Sequence, residues 1–236
     1  MTFDREAPDH ETPNQLGLLV LGIDTCGPSG SVALGRLARD RVEILGQVEL
    51  EGRTYSATLV AAVGEILREH GAALREIGCL VVVSGPGSFT GVRVGLSAAK
   101  GFAEGANIPV IAVSRLAVLS VKAGVDNAAL DAHRHELFLR YQGGELLAGA
   151  ADLATLPLLG KCAVCDPHAR AMLEAASPST RLVTVPAPTA ADAMQFAEPL
   201  IRARRFDDVA PLDGHYLRRS DAEIFGDPAG AAARRR

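Results

Sequence analysis

Apolar residues occur in short runs along the first part of the chain, and polar or turn-forming residues separate these runs. Residues 18–24 form one such run, and the segments 31–35 and 41–50 continue the pattern, so we predict three strands. The next segment, 55–70, has apolar residues at helical spacing and an N-cap candidate at Ser56. Its apolar positions are Leu59, Val63, Ile66 and Leu67. The chain therefore opens with three strands followed by a helix.

A continuous apolar run at residues 79–83 is typical of a strand that is buried on both faces of a sheet. A glycine-rich turn at 84–90 then leads into a predicted helix over 91–105, and residues 109–113 predict a further buried strand. The order β-β-β-α-β-α-β indicates a mixed sheet covered by helices. It matches the repeating half of the ribonuclease H-like and actin-like ATPase folds, so we predict an α/β protein of that class.

The second half of the chain repeats the pattern less regularly. After a short helix, strands are predicted at residues 128–132 and 136–142. The clearest helix of this half is predicted at 189–205, with Thr189 as its N-cap and a kink at Pro199. We therefore expect two subdomains, each with a mixed sheet flanked by helices.

The terminal segments lack apolar periodicity, which predicts that they are disordered. The predicted organisation is a disordered extension at 1–15, a first subdomain at 16–114, a smaller second subdomain at 115–210 and a disordered tail at 226–236. As one alternative, residues 211–225 return to the first subdomain.

Composition and charge narrow the functional classes. Hydrophobic residues make up 48% of the 236 residues, enough for a sizeable core, whereas the net charge of −4 argues against a dedicated nucleic-acid binder. No apolar run approaches the roughly 18 to 20 residues of a membrane span, and the acidic, proline-containing start is unlike an export signal. Four cysteines without such a signal fit a reducing compartment. We expect a cytoplasmic protein without a membrane partner.

The strongest local motif is SGPGSFTGVRVG at residues 84–95, a glycine-rich turn between a strand and a helix. Free backbone N–H groups at the start of a helix can hold a phosphate. The motif has neither the lysine of a P-loop nor the spacing of a dinucleotide site. Gly85 and Gly87 are therefore candidates for nucleotide contact, with a purely structural tight turn as the alternative.

The helix after this turn has a stripe of small residues at every fourth position, formed by Gly91, Gly95, Ala99 and Ala103. A glycine inside a helix costs about 1 kcal/mol relative to alanine. Close approach of another backbone is the expected compensation. That backbone belongs either to the protein's own sheet or a neighbouring helix, or to a partner protein, and both interpretations are open.

Other residues with ligating or catalytic chemistry are isolated in the sequence. Asp24 follows the first strand, where actin-like ATPases keep an aspartate near the metal and phosphates, but an aspartate there also forms turns by accepting a backbone hydrogen bond. Cys162 and Cys165 have redox-motif spacing without a second pair for zinc, and we expect buried, reduced thiols. The sequence has no HExxH, HxxxH or GxSxG motif. We predict no metal site and no catalytic residue.

Five stretches follow one another along the chain: GIDT at 22–25 with SVAL at 31–34, Gly52 with Arg53, the motif at 84–95, Asp131-Ala132 with Glu136, and YLRRSDAE at 216–223. In this order they resemble the TsaB (YeaZ) family, whose members are paralogues of the catalytic subunit TsaD. The chain departs from the family pattern at Tyr55, where members commonly have histidine, and at His133, where they have arginine. The roles of these two positions are open.

The resemblance implies a fold without its own catalysis. TsaD relatives carry a metal-binding HxxxH pair after the strand at 110–113, whereas this chain has Arg115 and Leu119 at the two histidine positions. A metal held by imidazoles cannot form without them. The resemblance therefore implies no intrinsic cofactor, with ATP bound only at the level of a complex.

The resemblance further implies a scaffold for the synthesis of threonylcarbamoyladenosine (t6A) in tRNA. The expected partners are a TsaD-like catalytic subunit, a TsaE-like P-loop ATPase, tRNA indirectly through the complex, and a second copy of the chain when it is isolated. Pairing through the first two helices predicts an interface at Leu59, Val63, Gly91, Gly95, Ala99 and Ala103. The alternative is an enzyme of the actin-like fold, either a small-molecule kinase or a metallopeptidase.

Overall fold

The structure of the protein is a computed structural model that describes residues 17–39, 41–52, 54–157 and 160–218. The ends predicted to be disordered, 1–15 and 226–236, lie outside the described residues. The first sheet comprises β1 (Leu19–Asp24), β2 (Ser29–Leu37), β3 (Val42–Glu51), β4 (Ile77–Gly85) and β5 (Val110–Ser114). Its strand order is β3-β2-β1-β4-β5, with β1, β2 and β3 antiparallel and β1, β4 and β5 parallel. The carboxyl ends of β1 and β4 therefore meet at one edge of the sheet.

The second sheet is also mixed. It comprises β6 (Asn127–Asp131), β7 (Glu136–Tyr141), β8 (Gly144–Gly149), β9 (Lys161–Val164) and β10 (Arg181–Thr184), in the order β10-β9-β6-β7-β8. The helices are α1 (Tyr55–Glu69), α2 (Phe89–Ala106), α3 (Arg115–Ala123), α4 (Ala150–Thr155), α5 (Pro167–Ala176) and α6 (Ala190–Arg202), and a short 3-10 turn spans Leu74–Glu76. The predicted pattern of two mixed sheets with flanking helices is confirmed.

Helix α6 corrects the predicted boundary between the subdomains. A Cβ added to Gly22 of β1 would lie 2.6 Å from the sulfur of Met194 in α6, whereas the next residue, Ile23, packs towards Gly95 of α2. Successive residues of a strand point to opposite faces of the sheet. Helices α2 and α6 therefore cover opposite faces of the first sheet, and α6 belongs to the first subdomain although we placed residues 115–210 in the second.

The helix caps show which local predictions were correct. Thr189 caps α6 as predicted, with its hydroxyl accepting a hydrogen bond from the Asp192 backbone, and the helix continues past Pro199 to Arg202. The predicted cap at Ser56 is wrong, because Thr54 occupies that position in α1. The hydroxyl of Thr54 donates instead to the Glu51 carbonyl at 2.8 Å.

Residues 207–218, which we call the C-terminal strap, run back along the first sheet. Asp207 forms a bridge with Val110 of β5, and the His215 backbone N–H donates to the Ser84 carbonyl of β4 at 2.7 Å. The strap thus contacts the first sheet at Val110 and Ser84, while 219–225 lie outside the described residues; the assignment of 211–225 to the first subdomain stays a prediction. Within the described ranges, no helix is both long and apolar enough to cross a membrane.

Candidate functional site

A cleft of about 1170 Å³ lies between the two halves of the molecule. Its walls come from the β1–β2 turn, the glycine-rich turn before α2, the start of α3, the β6–β7 loop and the C-terminal strap. Tyr55 and His133, the two positions that depart from the family pattern, both line it. Of the three candidate cofactor residues, Gly87 lines the cleft, whereas Asp24 and Gly85 lie next to lining residues.

Asp24 is buried next to this cleft, behind the lining residues Cys26 and Arg115, and has two partners. Its Oδ1 accepts a hydrogen bond from the Cys26 backbone N–H at 2.8 Å, so the predicted role as a turn former is confirmed. Its Oδ2 lies 3.6 Å from Nε of Arg115, whose side chain is only 7% exposed. Burial alone would lower the pKa of Arg115, but interactions with Asp24 and, to a lesser extent, with Cys26, Cys165 and Tyr55 together outweigh it and raise that pKa. The carboxylate is thus charge-balanced from within the chain.

Burial and the nearby charge of Asp24 keep two residues that line the cleft, Cys26 and Tyr55, in their neutral forms. Burial, followed by the charge of Asp24, raises the pKa of Cys26 well above its ordinary value. Burial and the same charge raise the pKa of Tyr55 to about 12, and its hydroxyl donates to the Gly27 carbonyl at 2.8 Å. At neutral pH neither side chain is poised as a nucleophile or a base.

The glycine-rich turn uses Gly85 and Gly87 for close backbone contacts. Gly85 has a φ of +115°, which favours glycine, and a Cβ on Gly87 would lie 2.2 Å from the Cys26 carbonyl oxygen. That carbonyl also accepts a hydrogen bond from the Ser88 backbone N–H at 2.8 Å. These contacts support the structural interpretation of both glycines. Contact of either residue with a nucleotide stays a prediction.

The partner interface predicted from α1 and α2 requires a correction. All six of its residues, Leu59, Val63, Gly91, Gly95, Ala99 and Ala103, are buried inside the chain. The small-residue stripe packs on the protein's own first sheet, because a Cβ on Gly91 would lie 2.0 Å from the Thr25 carbonyl oxygen and one on Gly95 would lie 2.4 Å from Thr25 Oγ1. The Thr25 hydroxyl donates to the Gly91 carbonyl at 2.7 Å. Val63 and the four residues of the stripe therefore lie beneath the surface that a partner could contact, whereas Leu59 also lines the depression described next.

The exposed sides of the same two helices form a second depression, of about 590 Å³, which we call the outer groove. It is lined by Tyr55, Ser56, Leu59, Val60, Phe89, Thr90, Arg93, Val94, Ser97 and Ala98. Val60 is 60% exposed, and the guanidinium carbon of Arg93 lies 3.9 Å from the ring centroid of Phe89. The surface available to a partner is thus offset by one or two positions from the predicted one.

The cysteines form no disulfide among the described residues. Burial raises the pKa of Cys162 to about 12, and Cys165 is half-buried at the cleft. Within the described part of the chain, no group of His, Cys, Asp and Glu is arranged to hold a metal ion.

Sequence reasoning missed a buried polar cluster that joins the two halves. Glu145 of β8, with a side chain 7% exposed, accepts hydrogen bonds from Ser114 Oγ at 2.6 Å and from Arg140 Nη1 at 3.1 Å. Its other oxygen lies 2.9 Å from Nε2 of His215 in the C-terminal strap. The three partners are distant from one another in the sequence, so no local spacing could have indicated the cluster.

Comparisons with known proteins agree on one family. Residues 47–197 match the family model described as TsaD, tRNA N6-adenosine threonylcarbamoyltransferase. The TsaB protein of Haemophilus influenzae is 38% identical over 127 residues, which are 51% of this chain and 52% of that protein. The TsaB protein of Escherichia coli is 36% identical over 133 residues, or 53% and 56% of the two chains. The chain thus spans about half the length of these curated relatives.

Longer matches come from one further sequence and from solved structures. An uncharacterized protein of Mycobacterium tuberculosis is 29% identical over 215 residues, covering 86% of this chain and 93% of that one. A Pseudomonas aeruginosa protein described as similar to peptidase YEAZ superposes with a TM-score of 0.69 at 26% identity, over 85% of this chain and 100% of that one. YeaZ from the same organism gives 0.66 at 24% identity with the same coverage. The matches confirm the predicted fold class and the predicted resemblance.

Proposed function

Since the chain belongs to the family described as TsaD, tRNA N6-adenosine threonylcarbamoyltransferase, and is similar to TsaB proteins within it, we propose that it serves t6A synthesis in tRNA as a non-catalytic scaffold. In this proposal a TsaD-like subunit performs the transfer, and the present chain supports it by direct contact. The proposal rests on two features of the structure, the charge pair of Asp24 and Arg115 beside the cleft and the open outer groove.

The single observation that carries the proposal is the buried pair of Asp24 and Arg115. The resemblance places Arg115 at the first of the two positions where TsaD relatives hold a metal with histidine. A guanidinium at that position brings a permanent positive charge, which opposes the binding of a metal cation nearby. Because the carboxylate of Asp24 already balances this charge at 3.6 Å, it is not free for metal-assisted chemistry.

The outer groove supports the scaffold half of the proposal. Its described lining is mostly apolar or small, and Val60 stands 60% exposed at its edge. A TsaD-like partner of the same fold would present a corresponding pair of helices, so two such surfaces can pack against each other. A second copy of the chain can do the same in isolation, which makes a homodimer a competitor of the heterodimer.

The remaining partners follow from the same proposal. A TsaE-like P-loop ATPase joins the complex, so that ATP is used at the level of the assembly. The tRNA contacts this chain only through the complex, which agrees with its net charge of −4. The assembly works in the cytoplasm.

Reconstitution with purified proteins tests the proposal. The chain and its TsaD-like subunit are expected to co-elute as a complex, and t6A formation is expected to require both. The chain alone is expected to release no phosphate from ATP and to retain no stoichiometric transition metal. Full t6A formation by the other subunits without this chain would contradict the scaffold role.

The volume of the cleft favours a second candidate, a small-molecule kinase. A cavity of about 1170 Å³ is large enough to hold a nucleotide. Phosphate release by the isolated chain that disappears in Asp24→Asn, with the melting temperature unchanged, would favour this enzyme over the scaffold.

A further inference from the structure

The C-terminal strap is fastened to both halves of the molecule. Asp207 bridges to β5 at one end, and the His215 backbone is bonded to the Ser84 carbonyl near the middle of the path. At the other end, Nη1 of Arg218 donates to the Ala132 carbonyl at 2.8 Å in the β6–β7 loop. The strap is therefore held in position on either side of the residues between His215 and Arg218.

Tyr216, within this fastened stretch, packs against the first residue of α2. The ring centroids of Tyr216 and Phe89 are 4.8 Å apart with a tilt of 42° between the planes, an arrangement typical of favourable aromatic pairs. The Tyr216 hydroxyl is buried and has no hydrogen-bond partner among the described residues. The ring contact, and not the hydroxyl, is what connects Tyr216 to its surroundings.

Phe89 is shared between two surfaces. It lines both the cleft and the outer groove, and Arg93 of the groove lies over its ring at 3.9 Å. A cation placed over an aromatic face is attracted to it, so the position of Phe89 also guides that of Arg93. The two aromatic rings and the guanidinium form a continuous chain of contacts from the strap to the groove.

We propose that the C-terminal strap supports the partner-binding surface from within the chain, with Tyr216 as the positioning residue that holds Phe89 and, through it, Arg93 ready for the partner. Among the described residues that line the outer groove, Arg93 is the one with a charge. The complementary surface is therefore an apolar helix face with an acidic residue opposite Arg93. This inference rests on the proposed function, and the occupant it assigns is the TsaD-like subunit.

Removal of the Tyr216 ring leaves Phe89 and Arg93 free to move before binding, and the partner must then order them. Ordering such side chains weakens association, and for these two residues the expected effect is on the order of tenfold in affinity. Because Tyr216 acts through Phe89, its effect must vanish when Phe89 is already absent.

The test measures affinity for the purified TsaD-like subunit by titration calorimetry, together with the melting temperature of each variant. Tyr216→Ala is expected to bind about tenfold more weakly, whereas Tyr216→Phe, which keeps the ring, restores normal binding. Asp213→Ala, an exposed change in the same strap, controls for general disturbance. In a Phe89→Ala background, Tyr216→Ala is expected to add no further loss. If Tyr216→Ala does not fold, Tyr216→Leu replaces it, since leucine keeps an apolar side chain without the flat ring.

The outcomes separate this inference from the proposed function. If the unaltered chain does not bind the TsaD-like subunit, the proposed function fails and this inference fails with it. If the unaltered chain binds and Tyr216→Ala binds equally well, the inference alone is overturned. A Tyr216 effect that persists in full in the Phe89→Ala background also overturns it, because the relay through Phe89 is then absent.

Discussion

The inner side of helix α2 faces other parts of the chain so closely that some positions must be glycine, whereas other positions of the helix have room for a larger side chain. On the inner side, a Cβ on Gly91 or Gly95 would come within 2.4 Å of Thr25 atoms, so glycine is required by close packing. Two glycines elsewhere on the same helix, Gly101 and Gly105, have no atom within 4 Å of such a Cβ. A glycine in a helix thus indicates close approach only where the fold brings a backbone there.

The comparison also explains why the predicted interface was misplaced. The four-residue stripe correctly indicated a close contact, but the residue that approaches is Thr25, directly after β1 of the same chain. The surface left for a partner lies one or two positions away from the stripe on the same helix, at residues such as Arg93 and Ser97, and includes Val60 of α1. Stability and binding are therefore expected to respond to different residues of the same helix pair.

The largest effect is expected from Gly91→Ala on the inner side. Its Cβ would lie 2.0 Å from the Thr25 carbonyl oxygen, and backbone must shift to admit it. Overpacking of this kind costs about 1 to 3 kcal/mol, and we expect the upper end, which lowers the melting temperature by roughly 6 to 12 °C. Thermal unfolding followed by circular dichroism measures the change.

Gly101→Ala is the matched control in the same helix. Its Cβ enters open space, so alanine is expected to stabilise the helix by up to about 1 kcal/mol. A Gly91→Ala variant with a normal melting temperature and a lower affinity for the partner would show that the small-residue stripe belongs to the interface after all.

A smaller, functional effect is expected from Val60→Asp on the outer side. Val60 is 60% exposed in the isolated chain, so the melting temperature is expected to stay within about 2 °C. In the complex an unpaired carboxylate would be buried against the partner, at a cost of about 1 to 3 kcal/mol, or roughly 5- to 150-fold in affinity. Titration of the TsaD-like subunit measures the loss.

Val121→Asp provides the control for this change, since Val121 of α3 is 59% exposed and lies outside the outer groove. It is expected to leave affinity unchanged. Equal losses from both variants would show that charge, and not position, weakens the complex.

Local pattern predicted most elements of the fold but not their long-range placement. The helix and its Thr189 cap were predicted correctly for α6, because spacing and capping are properties of neighbouring residues. The sheet that α6 covers was not predicted correctly, because contacts such as that of Gly22 with Met194 join residues far apart in the chain. The same limit applies to the small-residue stripe, because nothing in the sequence of α2 indicates which part of the chain the stripe contacts.

The candidate site was predictable to a similar extent. The turn-forming bond of Asp24 could be predicted from its place at a strand end. The structural role of Gly85 and Gly87 could be predicted from the need for a tight turn. The charge balance by Arg115 depends on the start of α3 reaching Asp24 beside the cleft, and spacing alone does not encode that contact.

The smallest effect concerns the bond that holds the C-terminal strap near α2. The hydrogen bond with Glu145 raises the pKa of His215 despite partial burial. Stability from that shift is fully present below the unfolded value of about 6.5 and is lost as pH rises through the raised folded pKa. Burial alone would raise the pKa of Glu145, but bonds from His215, Ser114 and Arg140 lower it. Its contribution is lost only as pH falls through that lowered value.

His215→Ala is therefore expected to reduce the free energy of unfolding more at pH 5.5 than at pH 9. The His215 side chain is 41% exposed, so solvent screening limits the difference to a fraction of about 1 kcal/mol. Urea unfolding at the two pH values measures it, with His168→Ala on the exposed start of α5 as the control. If His215→Ala lowers the free energy of unfolding equally at both pH values, or lowers it more at pH 9, the bond to Glu145 does not depend on a charged imidazole. In that case the strap would be held beside Phe89 by the His215 backbone bond and the Tyr216 ring contact alone.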